Sequence, residues 1–203
     1  MRNKKITQTS SLFRYAKMTN EEIIWDYLYK KLNNPYGTAG LMGNLFAESS
    51  LNPILANNIK KYGMTNQQYT DITDANKNNN FISDGIAYGL VQWRYHTRKQ
   101  GLLEKARAEK KSVGNIYLQL DYLWEELQKY TTVLSTLYSA KTIREASDVV
   151  LVRYEKPATT TEAVRQKRAS YGQKYFDKYK GINSAIKKEA AEELIKELER
   201  VLK

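Results

Sequence analysis

From Thr19 onward, apolar residues return every three or four positions through most of the chain. Ile23, Ile24, Tyr27, Leu28 and Leu32 make the first such face, the spacing that lines one side of a helix. Thr19 and Glu22 read as a capping box at its start, each side chain satisfying the other's free backbone N–H. Asn33-Asn34-Pro35 reads as its stop. Thr38 is placed to cap a second, short helix carrying Leu41, Met42, Leu45 and Phe46. That helix must end before Asn52-Pro53, because proline disfavours a helical conformation in the residue ahead of it. Gly40 and Gly43 permit a neighbour to approach it closely.

From Ala56 to Asp84 the chain turns polar and rich in asparagine, with a helical turn expected around Thr65 to Ile72. Loops of this length in a compact domain tend to carry function. After Trp93 the helical period resumes: Leu102, Leu103 and Ala106; Ile116, Leu120, Leu123, Trp124 and Leu127; Val133, Leu134 and Leu137. Thr142 with Glu145, and Thr159 with Glu162, read as the openings of two further helices. The expected organisation is a loose arm over residues 1–18, one domain over 19–181 closed by Gly181, and an amphipathic helix over 182–203 with Ile186, Leu194, Leu198 and Val201 on one side. Without an internal repeat or a run of alternating strands, the fold class is mainly α (α+β). Residues 54–93 leave room for a small hairpin or loop region.

Composition narrows the chemistry. The chain has no cysteine and a single histidine, His96, which excludes thiolate zinc sites, cysteine nucleophiles and paired-histidine metal motifs. No cofactor or metal is expected, and carboxylates must carry any catalysis. The formal charge is +11, a field that attracts polyanions. Acidic residues interleave with the basic ones, as in Glu104-Lys105-Ala106-Arg107-Ala108-Glu109, so the pattern is one of solvated helix faces and not of a nucleic-acid groove. No apolar run suits a secretory signal or a membrane span. The expectation is therefore a protein made without a signal peptide and without membrane insertion.

One carboxylate stands out. Leu41, Leu45 and Glu48 share a helix face, so Glu48 completes an apolar stripe at the helix's C-terminal end. Burial and the helix dipole both disfavour a negative charge there. A carboxyl that keeps its proton is what glycoside cleavage requires of a general acid. The alternative is a helix-end carboxylate facing water or paired with an arginine, a common structural arrangement.

Two segments carry a family resemblance. Gly43-Asn44-Leu45-Phe46-Ala47-Glu48-Ser49-Ser50-Leu51-Asn52-Pro53 resembles the Glu-Ser signature that ends the catalytic helix of lytic transglycosylases and goose-type lysozymes. Gly89-Leu90-Val91-Gln92, after Gly85-Ile86-Ala87-Tyr88, is similar to their second signature, which lines the sugar cleft. With Gln92-Trp93, Arg98-Lys99-Gln100 and Arg153-Tyr154-Glu155-Lys156-Pro157, the chain more closely resembles the phage tail lysozyme family of Gram-positive phages and mobile elements, over about residues 19–180. The resemblance implies a lysozyme-like helical domain whose hairpin or loop region lines the cleft. It implies Glu48 as catalytic acid, Ser49 orienting the carboxyl or a substrate N-acetyl group, and Tyr88, Gly89, Leu90, Gln92, Trp93 and Tyr154 as substrate-binding. Gly89 would let backbone approach the sugar, and Trp93 would either stack on it or belong to the core.

The aspartate that other phage lysozymes carry nine residues after the acid is Asn57 here. Asp71, Asp74 and Asp84 are the remaining candidates for a second carboxylate, Asp84 being nearest the cleft signature. A missing second group favours a transglycosylase route, in which one glutamate serves as acid and then as base, over hydrolysis. The implied substrate is the MurNAc-GlcNAc bond of peptidoglycan glycan strands. A phage tail or other delivery protein would engage the C-terminal helix and bring the chain to the wall, as a virion-associated or lysis-released protein. A wall-binding or tail-structural module without catalysis is the competing reading.

Overall fold

The structure, a computed structural model, describes residues 18–201, with side chains described for 18–181 and Arg200. The expected N-terminal arm and the side chains of the terminal amphipathic stretch lie outside the described residues. The described chain is mainly helical, and its only β pairings are isolated bridges from Ala56 to Tyr88 and from Tyr88 to Trp93.

Helix α1, Asn20–Leu32, begins with the expected capping box and ends where Asn33 turns left-handed. Helix α2, Pro35–Ser49, starts earlier than expected: Asn34, not Thr38, is its N-cap, and Pro35 takes its first turn. Proline suits that position because its missing N–H would have no partner there. The Asn34 side chain accepts from Tyr36 N at 3.0 Å and donates to Tyr138 O and Ala140 O, so the cap also ties α2 to a distant turn. Thr38 is fully buried and its hydroxyl donates to Asn34 O.

Helix α2 is buried on every side from Gly37 to Leu45, as expected of a helix without a polar face. The helices that follow are α3 (Asn66–Asp74), α4 (His96–Glu109), α5 (Ile116–Gln128), α6 (Thr131–Ser139), α7 (Ile143–Val149) and α8 (Glu162–Val201), of which α6, α7 and α8 pack against it. Its closest neighbours are α8 and α7. A Cβ on Gly40 would strike Ala146 and Ser147 of α7, and one on Gly43 would strike the Arg168 carbonyl and Gly172 of α8. Glycine at these two positions thus sets how near both helices come, as the sequence suggested.

The later helices keep some expected boundaries and shift others. Helix α3 forms where a helical turn was expected, with Thr65 and Gln68 as a second capping box. Helix α8 begins at Glu162, so Thr159 does not cap it, and it runs through Gly181 to Val201 without a break. Between them, α7 widens into a π-helical turn over Val150–Glu155 before Lys156 ends it in a left-handed conformation. No helix among the described residues is long and apolar enough to cross a membrane.

Candidate active site

Glu48 lies in the last turn of α2, followed by two consecutive left-handed residues, Ser50 and Leu51. Non-glycine residues adopt that conformation at a cost of order 1 kcal/mol each and persist where surrounding structure enforces it. Here the enforcement is local packing, for Leu51 is buried and its carbonyl accepts from Asn20 Nδ2 at 3.2 Å. The sharp exit ends the helix beneath the Gly89–Gln92 turn. Ser49 Oγ donates to Leu90 O at 2.9 Å, so the two signature segments, 41 residues apart, meet through the residue beside the glutamate.

The surroundings of Glu48 differ from the apolar pocket the sequence predicted. Arg168 on α8 donates from Nη2 to Glu48 Oε1 at 2.6 Å, and the two side chains are only 12% and 21% exposed. Its Nη1 lies 3.2 Å from Asn44 Oδ1, and Asn44 Nδ2 in turn reaches Gly40 O, Ser147 O and Ser147 Oγ. The resting carboxylate is therefore one half of a charge-assisted ion pair, the alternative recognised from sequence. A fifth of it remains open to solvent.

Most of the expected sugar contacts lie under the surface. Ser49, Tyr88, Gly89, Leu90, Trp93 and Tyr154 are buried, and a residue enclosed by protein offers no face to a sugar. The turn itself is a tight hairpin closed by Tyr88 N to Trp93 O at 3.0 Å and Trp93 N to Tyr88 O at 2.9 Å. Gly89 has φ +77°, and a Cβ there would collide with Gln119 Oε1, which accepts from Leu90 N at 2.9 Å. Its missing side chain thus makes room for Gln119. Gln92, at φ +53°, uses its amide to hold Leu55 O and Gly89 O and is the half-buried member of the turn. Tyr95, two residues past Trp93, is the aromatic left in solvent, 74% exposed.

Trp93 belongs to the core. Its indole donates to Glu126 Oε2 at 2.8 Å, and the same carboxylate receives Arg98 Nε at 2.7 Å and the Tyr154 hydroxyl at 2.6 Å. Burial, together with the neighbouring carboxylates, holds the Tyr154 hydroxyl well above the ordinary tyrosine range, so it stays a donor. Tyr154 therefore faces Glu126.

Asp84 is the counter-ion of a buried lysine. Lys99 Nζ, fully buried, lies 2.6 Å from Asp84 Oδ1, while Tyr69 Oη and Ile86 N also donate to that carboxylate. Asp74 accepts from Val113 N and Asp71 from Gln67 Nε2. Each aspartate proposed as second carboxylate thus has a structural partner.

Sequence reasoning missed Arg168, Glu126 and Glu155. Glu126 carries the same signal that singled out Glu48, a carboxylate inside an apolar helical stripe, between Leu123 and Leu127. Glu155 lies inside the Arg153-Tyr154-Glu155-Lys156-Pro157 segment, and its Oε1 is buried with no hydrogen-bond partner among the described residues. Arg168 lies 120 residues from its partner, and nothing local marks it.

Comparison with known families decides the assignment. The family model described as phage tail lysozyme matches residues 19–179. The chain belongs to the phage tail lysozyme family. The match takes in Glu48, the Gly89–Gln92 turn, Glu126, Glu155 and Arg168, and membership makes the chain a lysozyme-like peptidoglycan glycosidase in general class. No curated protein matches the chain.

Proposed function

We propose that this phage tail lysozyme cleaves the MurNAc-GlcNAc bond of peptidoglycan with Glu48 as its only proton-transferring carboxylate, by the transglycosylase route. The observation that carries this reading is the placement of Glu48. It sits at the strained end of a rigid buried helix, joined through Ser49 to the cleft-signature turn and partly open to solvent. In its protonated form Glu48 gives its proton to the glycosidic oxygen as the C1–O bond breaks. The carboxylate left behind is stabilised by Arg168, 2.6 Å away. It then takes the proton of the muramyl 6-hydroxyl, whose oxygen closes on C1 to give a 1,6-anhydro product. The commitment of Asp71, Asp74 and Asp84 to structural contacts favours this route over a hydrolysis that needs a second carboxylate to direct water.

The test is Glu48→Gln in a wall-clearing assay, with mass spectrometry of the released muropeptides. The variant is expected to lose about 10²–10⁴-fold in rate, the usual worth of a positioned general acid. Parent products are expected to be lighter by one water than reducing ends. Clearing by the variant at the parent rate rejects Glu48 as the acid, and reducing muramyl ends reject the transglycosylase route. Delivery belongs to the same proposal: the protein reaches the wall as a virion-associated or lysis-released protein, its terminal helix meeting the delivery partner.

A further inference from the structure

Three carboxylates and two guanidiniums gather where α2, α4, α5, α8 and the π-helical turn converge. Glu126 is paired with Arg98, and Glu48 with Arg168. Glu155 is the third carboxyl. It ends the turn Val150–Glu155, and π-helical turns recur at functional sites because they re-aim side chains that a regular helix would place elsewhere.

The groups that face Glu155 come from every element around it. Glu48 from α2 and Glu126 from α5 oppose a negative charge there, while Arg98 from α4 and Arg168 from α8 favour one. Both arginines are already committed to other carboxylates, and Glu155 Oε1 is buried with no donor among the described residues. Glu155 as a whole is half-buried, but charge shared onto its Oε1 would have neither water nor a hydrogen bond to compensate it. A neutral, protonated carboxyl is what the arrangement accommodates. Burial first, and then the charge of Glu48, push Glu155 up to about 8.

We propose that Glu155 is the second carboxyl of this centre, a positioning residue that stores one proton beside the Glu48–Arg168 ion pair and, through the charge it takes up on losing that proton, favours protonation of Glu48. The inference rests on the reading of Glu48 as the acid. The exchange is balanced: Glu155 loses its proton to solvent, Glu48 gains one from solvent, and the negative charge moves from Glu48 to Glu155 with Arg168 compensating it in either place. The exchange leaves the number of protons on the pair unchanged. Groups coupled in this way titrate as a pair.

The test uses the full chain with glutamate side-chain carboxyls labelled with ¹³C, the Glu155 resonance being assigned by its loss in Glu155→Gln. In the parent that resonance should titrate near 8. In Glu48→Gln, with the repelling charge gone and Arg168 released, its midpoint should fall by about one pH unit or more. Wall-clearing rates against pH should show the parent's alkaline limb displaced to lower pH in Glu155→Gln, with Glu155→Asp restoring part of it. A Glu155 that titrates in the ordinary carboxylate range, or that ignores Glu48→Gln, overturns the inference. So does a Glu155→Gln profile lowered equally at all pH, the mark of a merely structural residue. Should Glu155→Gln fail to fold, the titrations of the parent and Glu48→Gln still decide. Coupled titrations in a parent that clears no wall would sustain the inference and sink the proposed function instead.

Discussion

Glu126 has the densest set of donors of any carboxylate around the site: the Trp93 indole, two nitrogens of Arg98 and the Tyr154 hydroxyl all converge on its two oxygens. A buried pair contributes little over an apolar replacement, but removing one partner strands the other in a low-dielectric interior. Glu126→Gln leaves Arg98 in that state and turns two donors toward an amide, so the variant should lose about 3 kcal/mol of stability in urea unfolding. The accompanying change in Trp93 fluorescence would report the broken indole bond, and an unaltered unfolding midpoint would show that solvent already compensates Arg98. The sequence singles out Glu48 as the candidate acid because two local signals coincide on it: its place in an apolar stripe and the Glu-Ser segment around it. The residues that define its environment were not. Arg168 reaches it from α8, Glu155 in the π turn interacts with its charge, and no periodicity links positions so far apart. The same limit explains Ser49, Tyr88, Leu90 and Trp93, which the family resemblance placed against the sugar. Resemblance locates a segment, whereas burial decides which side chains of that segment can touch a ligand.

At the scale of elements, the site depends on how closely α8 approaches α2. Gly43 faces the Arg168 carbonyl and the Gly172 backbone, and Gly172 faces Ala39 O. The contact is backbone against backbone, and it delivers the Arg168 side chain to Asn44 and Glu48. Gly43→Ala places a methyl group where only main-chain atoms can give way. The expected result is a loss of about 1–3 kcal/mol in stability, the usual range for overpacking, with wall clearing reduced by more than the unfolded fraction accounts for, because Arg168 is displaced. Equal losses in folded fraction and activity would mean that α8 recovers its register. The helices were largely legible from the 3.6-residue period, and Thr19 and Thr142 cap their helices as expected, while the box at Thr65 went unread. Boundaries failed where one residue could serve two roles. Asn34 outcompetes Thr38 as cap because Pro35 supplies a ready first turn, and Gly181 does not interrupt α8 because a single glycine costs only ~1 kcal/mol in a helix interior. The π turn has no sequence signature at all.

Over the whole molecule, 33 basic and 22 acidic side chains leave a formal charge of +11. Many of the lysines and arginines are in surface pairs, such as Lys30 with Asp26 and Lys105 with Glu109 and Glu125, which contribute little to stability. The excess therefore acts at long range. Three of the cations, Lys129, Arg153 and Lys156, line one hollow of ≈ 480 Å³ together with Tyr130, beside the π turn. A field of this sign raises the local concentration of the protein near an anionic surface and speeds encounter without altering chemistry at the bond. Clearing of walls that retain their anionic polymers should therefore slow as ionic strength rises from about 50 to 300 mM, where the Debye length falls below about 10 Å. Walls stripped of those polymers should be cleared more slowly at low salt and with a flatter salt dependence, while the pH limbs stay where they are. If both wall preparations respond to salt alike, the charge serves solubility, and recruitment to the wall must come from contacts other than long-range attraction.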